Sequence, residues 1–421
     1  MALPVHSLSG LSRFAAALTV SMGLALASPI VVAGSHLQLE RVVLLYRHGV
    51  RSPLPGEIQL DEINRKAWPS WSQAPSELTQ HGIAGVALMG RYDRQRLVAH
   101  QLFAAQGCPD SSSIWFWANT DQRTIASAQA LAQGFAPGCA ISIGHQPPGS
   151  EDPLFHPIEA GAVSWSAADA VASIQAHSGG PNALTASHAD DLAAMAQVMG
   201  CGADSTAPFC DAQNWRGALT VSPDQKHLAL SGPIASTSGT AEAILMAYVE
   251  GKPLSDVGWG RTDAGKLESL SRLHSLLFDI YARPDYMAQR VAAVMSKHLI
   301  ATLQDDHAPR LSVMVGSDNN IVALASVLDL HFKMPGYGKD DPPVGGALGM
   351  ELWRDAANRR YVRVFYQAQS LAQLRALQPI NERQPPATLT LHPAGCVPNK
   401  QGLCTLASVI TQLERAASLV R

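Results

Sequence analysis

The residues best suited to chemistry lie in one short stretch near residue 50. Residues 47–53 read Arg-His-Gly-Val-Arg-Ser-Pro and follow an unbroken apolar run. A guanidinium is a planar fork of donors that matches the oxygens of phosphate, so Arg47 and Arg51 can bind one anion together. His48, between them, has a ring nitrogen free to attack that anion. The alternative is a solvated basic turn, but such a turn does not require this residue order.

Two later stretches can reach the same anion, because each follows a predicted strand. Arg123 comes after the apolar run 114–118, at the start of a predicted helix. Asp318 lies in Gly-Ser-Asp-Asn-Asn, directly after the apolar run 311–315. In an open parallel sheet, ligands bind at the carboxyl ends of the strands. Each residue also has a plain structural alternative, namely an arginine solvated on a helix face and an aspartate that caps a helix.

The elements that must position these residues indicate an α/β protein. We expect a mostly parallel central sheet with helices on both faces and an inserted α-helical cap domain. The core is expected at 34–150 and 305–421, and the cap domain at 151–304. The predicted strands are 40–46, 114–118, 311–315, 347–353 and 361–366, the last two as a hairpin. The predicted helices are 83–104, 124–133, 167–176, 187–199, 239–248, 264–282, 286–303, 321–328 and 405–417.

Composition limits the possible partners. The chain has 421 residues, of which 47% are hydrophobic and 15% charged, which is typical of a globular protein. Its net charge of −3 argues against a nucleic acid or an anionic membrane surface as partner. Recognition of phosphate must therefore be local.

The beginning of the chain and the cysteines predict export. Residues 1–33 read as a signal peptide, with Arg13 before an apolar run at 14–27 that is too short to span a bilayer. An uncleaved membrane anchor is the alternative.

Six cysteines, an even number, indicate disulfides in a periplasmic or secreted protein. A metal site is the alternative, but the chain has no Cys-x-x-Cys. The short gaps favour the pairs Cys201–Cys210 and Cys396–Cys404, which leaves Cys108–Cys139.

The first motif resembles the Arg-His-Gly-x-Arg-x-Pro signature of the histidine acid phosphatases and matches it at every fixed position. The chain is most similar to the bacterial periplasmic branch, which contains phytases and glucose-1-phosphatase-like enzymes. This resemblance implies hydrolysis of phosphate monoesters through a phosphohistidine on His48, with Asp318 as proton donor. It implies that Arg47, Arg51 and Arg123 bind the phosphate, and it supports the consecutive disulfide pattern. It also implies that no metal or organic cofactor is needed.

The second motif departs from the family at one position. The family carries Gly-His-Asp-x-Asn, and its histidine binds the phosphate, whereas this chain has Ser317. A serine hydroxyl still offers one donor to a phosphate but carries no charge. Losing one preorganised donor typically costs about 10²–10³ in rate. A degenerate phosphate-binding scaffold is therefore the alternative function, although the intact His48 and Asp318 favour an enzyme. A phosphomutase of the same superfold is a third possibility, which export and disulfides disfavour.

Electrostatics adds two expectations about the reaction and one about the substrate. The arginines should lower the pKa of His48, and a bound phosphate should raise the pKa of Asp318. Phytate and sugar phosphates are both candidate substrates. Residues 54–57 carry no basic side chain, which disfavours phytate, although Arg65, Lys66 or the cap domain can supply positive charge. We expect a monomer that acts on a small phosphate monoester.

Overall fold

The computed structural model describes residues 37–58, 63, 66–202, 205–225 and 227–421. The predicted signal peptide at 1–33 lies outside the described residues, as does Arg65.

The strands of the described residues form one large sheet and one separate hairpin. They are β1 (Gln38–Arg47), β2 (Ile114–Ala118), β3 (Ile143–Gly144), β4 (Ala218–Val221), β5 (Leu228–Ser231), β6 (Leu311–Gly316), β7 (Ala347–Arg354), β8 (Arg360–Ala368), β9 (Ala387–Leu391) and β10 (Cys404–Thr405).

The large sheet has the order β10-β8-β7-β1-β6-β2-β3, with β9 also paired to β8. From β1 to β3 the pairs are parallel, whereas β7 and β8 extend the sheet as the expected antiparallel hairpin. Arg47 on β1 stands opposite Gly316 on β6, and Ala118 on β2 stands opposite Val315. The carboxyl ends of three neighbouring strands therefore meet at one edge of the sheet, as the sequence predicts.

The helices carry most of the remaining described residues. They are α1 (Gln80–Ala99), α2 (Gln122–Phe135), α3 (Ala167–Ser178), α4 (Gly180–Ser187), α5 (Ala189–Met199), α6 (Pro233–Val249), α7 (Ala264–Ser275), α8 (Phe278–Tyr281), α9 (Asp285–Val291), α10 (Ala293–Gln304), α11 (Asp318–Val327), α12 (Leu371–Arg375) and α13 (Leu406–Ala417).

Side chains of β1 alternate between two hydrophobic cores. Val42 and Leu44 pack in the core that β1 forms with α1 and α2. Val43 and Leu45 pack in the core that contains α11 and the helices between 167 and 304. Because successive strand residues point to opposite faces, helices cover both sides of the sheet. This arrangement confirms the predicted fold class.

Several element boundaries differ from the sequence prediction. Helix α1 ends at Ala99 instead of continuing to 104, because Gln101 adopts a left-handed φ of 60°. The single helix predicted at 264–282 is divided into α7 and α8, and the one at 286–303 is divided into α9 and α10. Between α7 and α8 the backbone makes tighter bonds, as from Leu277 N–H to His274 C=O, three residues back. The sequence analysis also missed α4 and the β4–β5 hairpin, whose four-residue strands are too short to show periodicity.

The six cysteines form three disulfides, Cys108–Cys139, Cys201–Cys210 and Cys396–Cys404. This is the consecutive pairing that spacing and resemblance favour, and such bonds are typical of proteins that fold in an oxidising compartment. Among the residues that the structure describes, none of the helices has both the length and the apolar character needed to cross a bilayer.

Candidate active site

The turn after β1 holds His48 in a fixed position. Its backbone N–H donates to the Gly316 carbonyl at 3.1 Å, which ties the turn to β6. The side chain is 2% exposed, and its Nδ1 lies 2.9 Å from the Gly49 carbonyl oxygen. Because a carbonyl only accepts, this contact assigns the hydrogen to Nδ1 and leaves a lone pair on Nε2 for attack. A Cβ at position 49 would lie 2.9 Å from Val86 and 3.0 Å from the Gly82 carbonyl, which explains the glycine.

Arg47 is fully buried and joins three parts of the chain. Its Nη1 donates to the Pro342 carbonyl at 2.7 Å. Its Nη2 lies 2.8 Å from Asp318 Oδ2 and also pairs with Glu242 Oε1 on α6. Although burial alone would lower the pKa of Arg47, these two carboxylates raise it, so the guanidinium stays charged.

Arg51 and Arg123 each have one carboxylate partner. Arg51 is 4% exposed and forms a two-pronged ion pair with Glu57. Arg123, the second residue of α2, places Nη2 at 3.0 Å from Asp121 Oδ2. Asp121 is itself partly exposed, with 38% of its side chain accessible. The sequence prediction that Arg123 follows the end of β2 at a helix start therefore agrees with the structure.

The three arginines share a feature that points to a ligand. In the part of the chain that the structure describes, Nε of Arg47, Arg51 and Arg123 is buried in each case and has no hydrogen-bond partner. The same holds for Arg96, Arg283 and Arg354, but the first three are the arginines whose charges act on His48. A buried donor left unpaired costs roughly 1–3 kcal/mol. Three such donors around one histidine are the arrangement that an oxyanion such as phosphate would satisfy.

The charge environment keeps His48 neutral. Burial, and then the positive charges of Arg123, Arg51 and Arg47, hold the pKa of His48 well below its ordinary value of 6.5. The direction agrees with the expectation from the sequence. A neutral imidazole is the form that can act as a nucleophile, even in mildly acidic solution.

Asp318 begins α11, and its side chain is 15% exposed. Its Oδ1 accepts the backbone N–H of Asn319 at 2.8 Å. Burial would raise its pKa, but Arg47, His274 and His48 together hold the pKa of Asp318 well below its usual value. Without ligand the group is therefore a carboxylate. The alternative role of helix cap belongs to the preceding residue, Ser317.

The hydroxyl of Ser317 is engaged within its own helix turn. Its Oγ donates to Asn320 Oδ1 at 3.0 Å, and the Ser317 backbone N–H donates to the same atom at 2.9 Å. Asn320 is anchored in turn by its Nδ2, which donates to the Phe155 carbonyl at 2.8 Å. The phosphate contact predicted for Ser317 stays a prediction, and as a donor it would require the hydroxyl to turn away from Asn320.

The sequence analysis missed His274 and Glu242, which lie next to Asp318, and Asp341, which binds the other side of His274. His274 on α7 places Nε2 at 3.7 Å from Asp318 Oδ2 and 3.8 Å from Glu242 Oε2, and its Nδ1 lies 2.9 Å from Asp341 Oδ1. Burial would lower the pKa of His274, but Asp341, Glu242 and Asp318 raise it to about 9. One signal could have found Glu242: it is the one charged residue within the mostly buried helix α6.

This cluster has the residue types of a metal site, but its charges disfavour one. Ligand atoms of Glu242, His274 and Asp318 lie within 4.8 Å of one another. Arg47 already pairs with both carboxylates, and a histidine with a pKa of about 9 carries a proton at neutral pH. A cation would have to displace one positive group and deprotonate another.

Comparison with known proteins agrees with this geometry. Residues 38–367 match the family model of the histidine phosphatase superfamily (branch 2). The chain is 32% identical to the phytase AppA of Escherichia coli (strain K12), over 91% of this chain and 93% of that protein. It is 29% identical to a glucose-1-phosphatase of Providencia rettgeri, over 92% and 95% of the two chains.

Structural similarity leads to the same family. The Hafnia alvei phytase in complex with tartrate superposes with a TM-score of 0.84 at 29% identity, covering 91% of this chain and 98% of that chain. The phytase of Klebsiella sp. ASR1 superposes with a TM-score of 0.82 at 30% identity, covering 91% and 96% of the two chains. The chain therefore belongs to the histidine phosphatase superfamily (branch 2), as its two motifs predict.

Proposed function

We propose that this chain hydrolyses small phosphate monoesters through a phosphohistidine formed on His48. The observation that carries the proposal is a buried, neutral imidazole surrounded by three guanidiniums, each with an unpaired Nε–H. Asp318 lies beside it, joined to Arg47 at 2.8 Å. The residues to which we assign the roles of nucleophile, anion-binding groups and proton donor therefore lie at one edge of the sheet.

In the first step, the phosphoryl oxygens accept hydrogen bonds from Arg47, Arg51 and Arg123. His48 Nε2 attacks phosphorus, so that a P–N bond forms while the P–O bond of the ester breaks. The arginines stabilise the charge that spreads over the phosphoryl oxygens. Asp318 donates a proton to the leaving oxygen, which departs as a neutral alcohol.

The proton on Asp318 has to arrive with the substrate, because the free enzyme holds this group as a carboxylate. A bound phosphate neutralises part of the charge of Arg47 and so raises the pKa of Asp318. In mildly acidic solution the substrate is largely a monoanion, since the second pKa of a phosphate ester is about 6, and it brings one proton with it. In the second step, water attacks the phosphohistidine with Asp318 as general base, which releases phosphate and regenerates His48.

We propose that His274 supplies the positive charge that the family places on the histidine before its aspartate. Ser317 is short and uncharged, whereas His274 is protonated and points Nε2 towards Asp318 from α7. Its bond to Asp341 through Nδ1 fixes the ring orientation. In this role His274 positions the side chain of Asp318 and stabilises its negative charge.

Three further proposals concern the location of the protein, its domain organisation and its oligomeric state. The disulfides support a periplasmic or secreted location, as the predicted signal peptide at 1–33 does. We propose that 151–304 acts as a cap domain on a core of 34–150 and 305–421, because Glu242 and His274 reach the site from that segment. We also propose a monomer with no nucleic-acid partner.

The alternative function is a phosphate-binding scaffold that has lost catalysis through Ser317. A scaffold needs neither a nucleophile nor an acid, yet the chain keeps His48 and Asp318, and the two are close enough to influence each other electrostatically. Turnover of p-nitrophenyl phosphate at about pH 4–6, a range framed by ordinary Asp and His pKa values, separates the two functions. We expect hydrolysis by the wild type and none by His48→Ala. Binding of phosphate without any turnover by the wild type would establish the scaffold instead.

A further inference from the structure

Loop 54–58 places a carboxylate against one of the proposed phosphate-binding groups, Arg51. Glu57 Oε2 accepts from Arg51 Nη1 at 2.7 Å, and Glu57 Oε1 accepts from Arg51 Nη2 at 2.6 Å. Both terminal nitrogens of Arg51 are therefore engaged by a carboxylate from the protein itself. Its buried Nε–H remains free for the substrate phosphate.

This carboxylate is held in place by contacts beyond Arg51. Its Oε2 also accepts the backbone N–H of Leu54 at 2.8 Å, and the carbonyl of Glu57 accepts from Thr240 Oγ1 at 3.1 Å. Helix α6 approaches closely at Gly239, where a Cβ would lie 3.0 Å from Glu57 Cα and Cγ. With Glu57 only 8% exposed, its negative charge is a fixed part of the site.

Each of the three phosphate-binding arginines is already paired with at least one carboxylate of the protein. Arg51 is paired with Glu57, Arg47 with Glu242 and Asp318, and Arg123 with Asp121. One phosphate can still bind through the three Nε–H groups. The paired carboxylates would repel a further phosphate on the same substrate molecule. Loop 54–58 itself offers no cation to offset this repulsion.

We propose that Glu57 is a specificity-determining residue that selects substrates with a single phosphate on an uncharged group, such as sugar monophosphates, over polyphosphorylated rings. The inference rests on the proposed function and adds its substrate class. Repulsion between Glu57 and a second phosphate a few ångströms beyond the scissile one is worth about tenfold in relative efficiency, once solvent screening is included.

The test compares kcat/KM for glucose 1-phosphate and for phytate in the wild type and in Glu57→Gln. Glutamine keeps the size of the side chain and removes its charge. Freeing Arg51 would affect both substrates alike, so the ratio of the two efficiencies isolates the repulsion. Glu414→Gln, on the exposed face of α13, removes the same charge far from the site and serves as control.

We expect the wild type to favour glucose 1-phosphate. Glu57→Gln should raise the phytate-to-glucose-1-phosphate ratio about tenfold, whereas Glu414→Gln should leave it unchanged. The gain should shrink as salt is added, because salt screens repulsion; a mere loosening of loop 54–58 would not respond in this way. A wild type that favours phytate, or an unchanged ratio in Glu57→Gln, would overturn this inference alone.

The wild type by itself provides a second measurement that does not depend on the folding of a variant. Glucose 1-phosphate should be hydrolysed more efficiently than glucose 1,6-bisphosphate, and this preference should weaken with increasing salt. Equal efficiencies at low salt would overturn the inference. Absence of turnover with every ester, p-nitrophenyl phosphate included, would overturn the proposed function itself.

Discussion

Arg47 Nη2 and Asp318 Oδ2 lie 2.8 Å apart, although 270 residues separate them in the chain. The sheet explains this proximity, because Arg47 stands opposite Gly316 in the β1–β6 register and Asp318 begins the helix that follows. The pair joins the two motifs and keeps Asp318 ionised in the free enzyme. In the proposed mechanism the substrate must weaken this pair before Asp318 can hold a proton.

Replacing Asp318 by asparagine should affect substrates according to their leaving group. The variant keeps the shape of the side chain but cannot donate a proton to the departing oxygen. A general acid contributes about 10²–10⁴ in rate, so kcat for glucose 1-phosphate should fall by that factor. The loss should be smaller for p-nitrophenyl phosphate, whose leaving group needs little protonation. Asp169→Asn on α3 provides a matched control, and equal losses for both esters would contradict the acid role.

Replacing Arg123 by methionine should shift the acidic limb of the pH profile. After burial, Arg123 is the largest cause that lowers the pKa of His48. Without it, the pKa of His48 rises, so the nucleophile becomes protonated at higher pH and activity is lost sooner on acidification. We expect kcat/KM to fall by roughly 10²-fold, with its acidic limb displaced to higher pH. Using one ester for both enzymes removes the substrate's own titration from the comparison, and an unmoved limb would contradict the assignment.

His274 should make stability depend on pH in alkaline solution. Its pKa is raised to about 9 in the folded protein, against about 6.5 in an unfolded chain. The stability that protonated His274 contributes is therefore fully present below about pH 6.5 and is lost as the pH rises through about 9. Between these two pH values, the free energies of urea unfolding of the wild type and of His274→Gln should converge by on the order of 3 kcal/mol. A constant difference across this range would mean that the histidine is not charged.

The serine at position 317 should matter less to activity than the family pattern suggests. Its hydroxyl donates to Asn320, and we assign the positive charge beside Asp318 to His274. We expect Ser317→Ala to reduce kcat/KM by less than tenfold, whereas His274→Gln should reduce it by about 10²-fold, the cost of losing one preorganised donor. Measuring both variants with one ester decides the matter, and a larger loss in Ser317→Ala would assign the phosphate contact to the serine.

The sequence predicted the family, the fold class and the strand edge that carries the site, because these depend on local patterns. The run before Arg47 and the run before Gly316 are short, apolar and followed by polar residues, which is enough to place them as buried parallel strands. Helix ends were less predictable. The end of α1 depends on the backbone conformation of Gln101, for which residue type gives no signal.

The surroundings of the predicted site residues could not be read from the chain. Glu242 and His274 reach Asp318 from α6 and α7, and no local pattern connects residues that far apart. The pairing of Glu57 with Arg51 is also a tertiary contact, although only five residues separate them. The direction of the Asp318 pKa in the free enzyme depends on these partners, so the sequence predicted its role in the reaction but not its resting charge.

The central claim is that His48 accepts the phosphoryl group, and it can be measured directly. Wild type and His48→Ala would be mixed with ³²P-labelled p-nitrophenyl phosphate, quenched rapidly in alkaline detergent to preserve phosphohistidine, and digested for mapping. We expect label on the wild-type peptide that contains His48 and no label on the variant. Label on another residue, or unlabelled wild-type enzyme during active turnover, would contradict it.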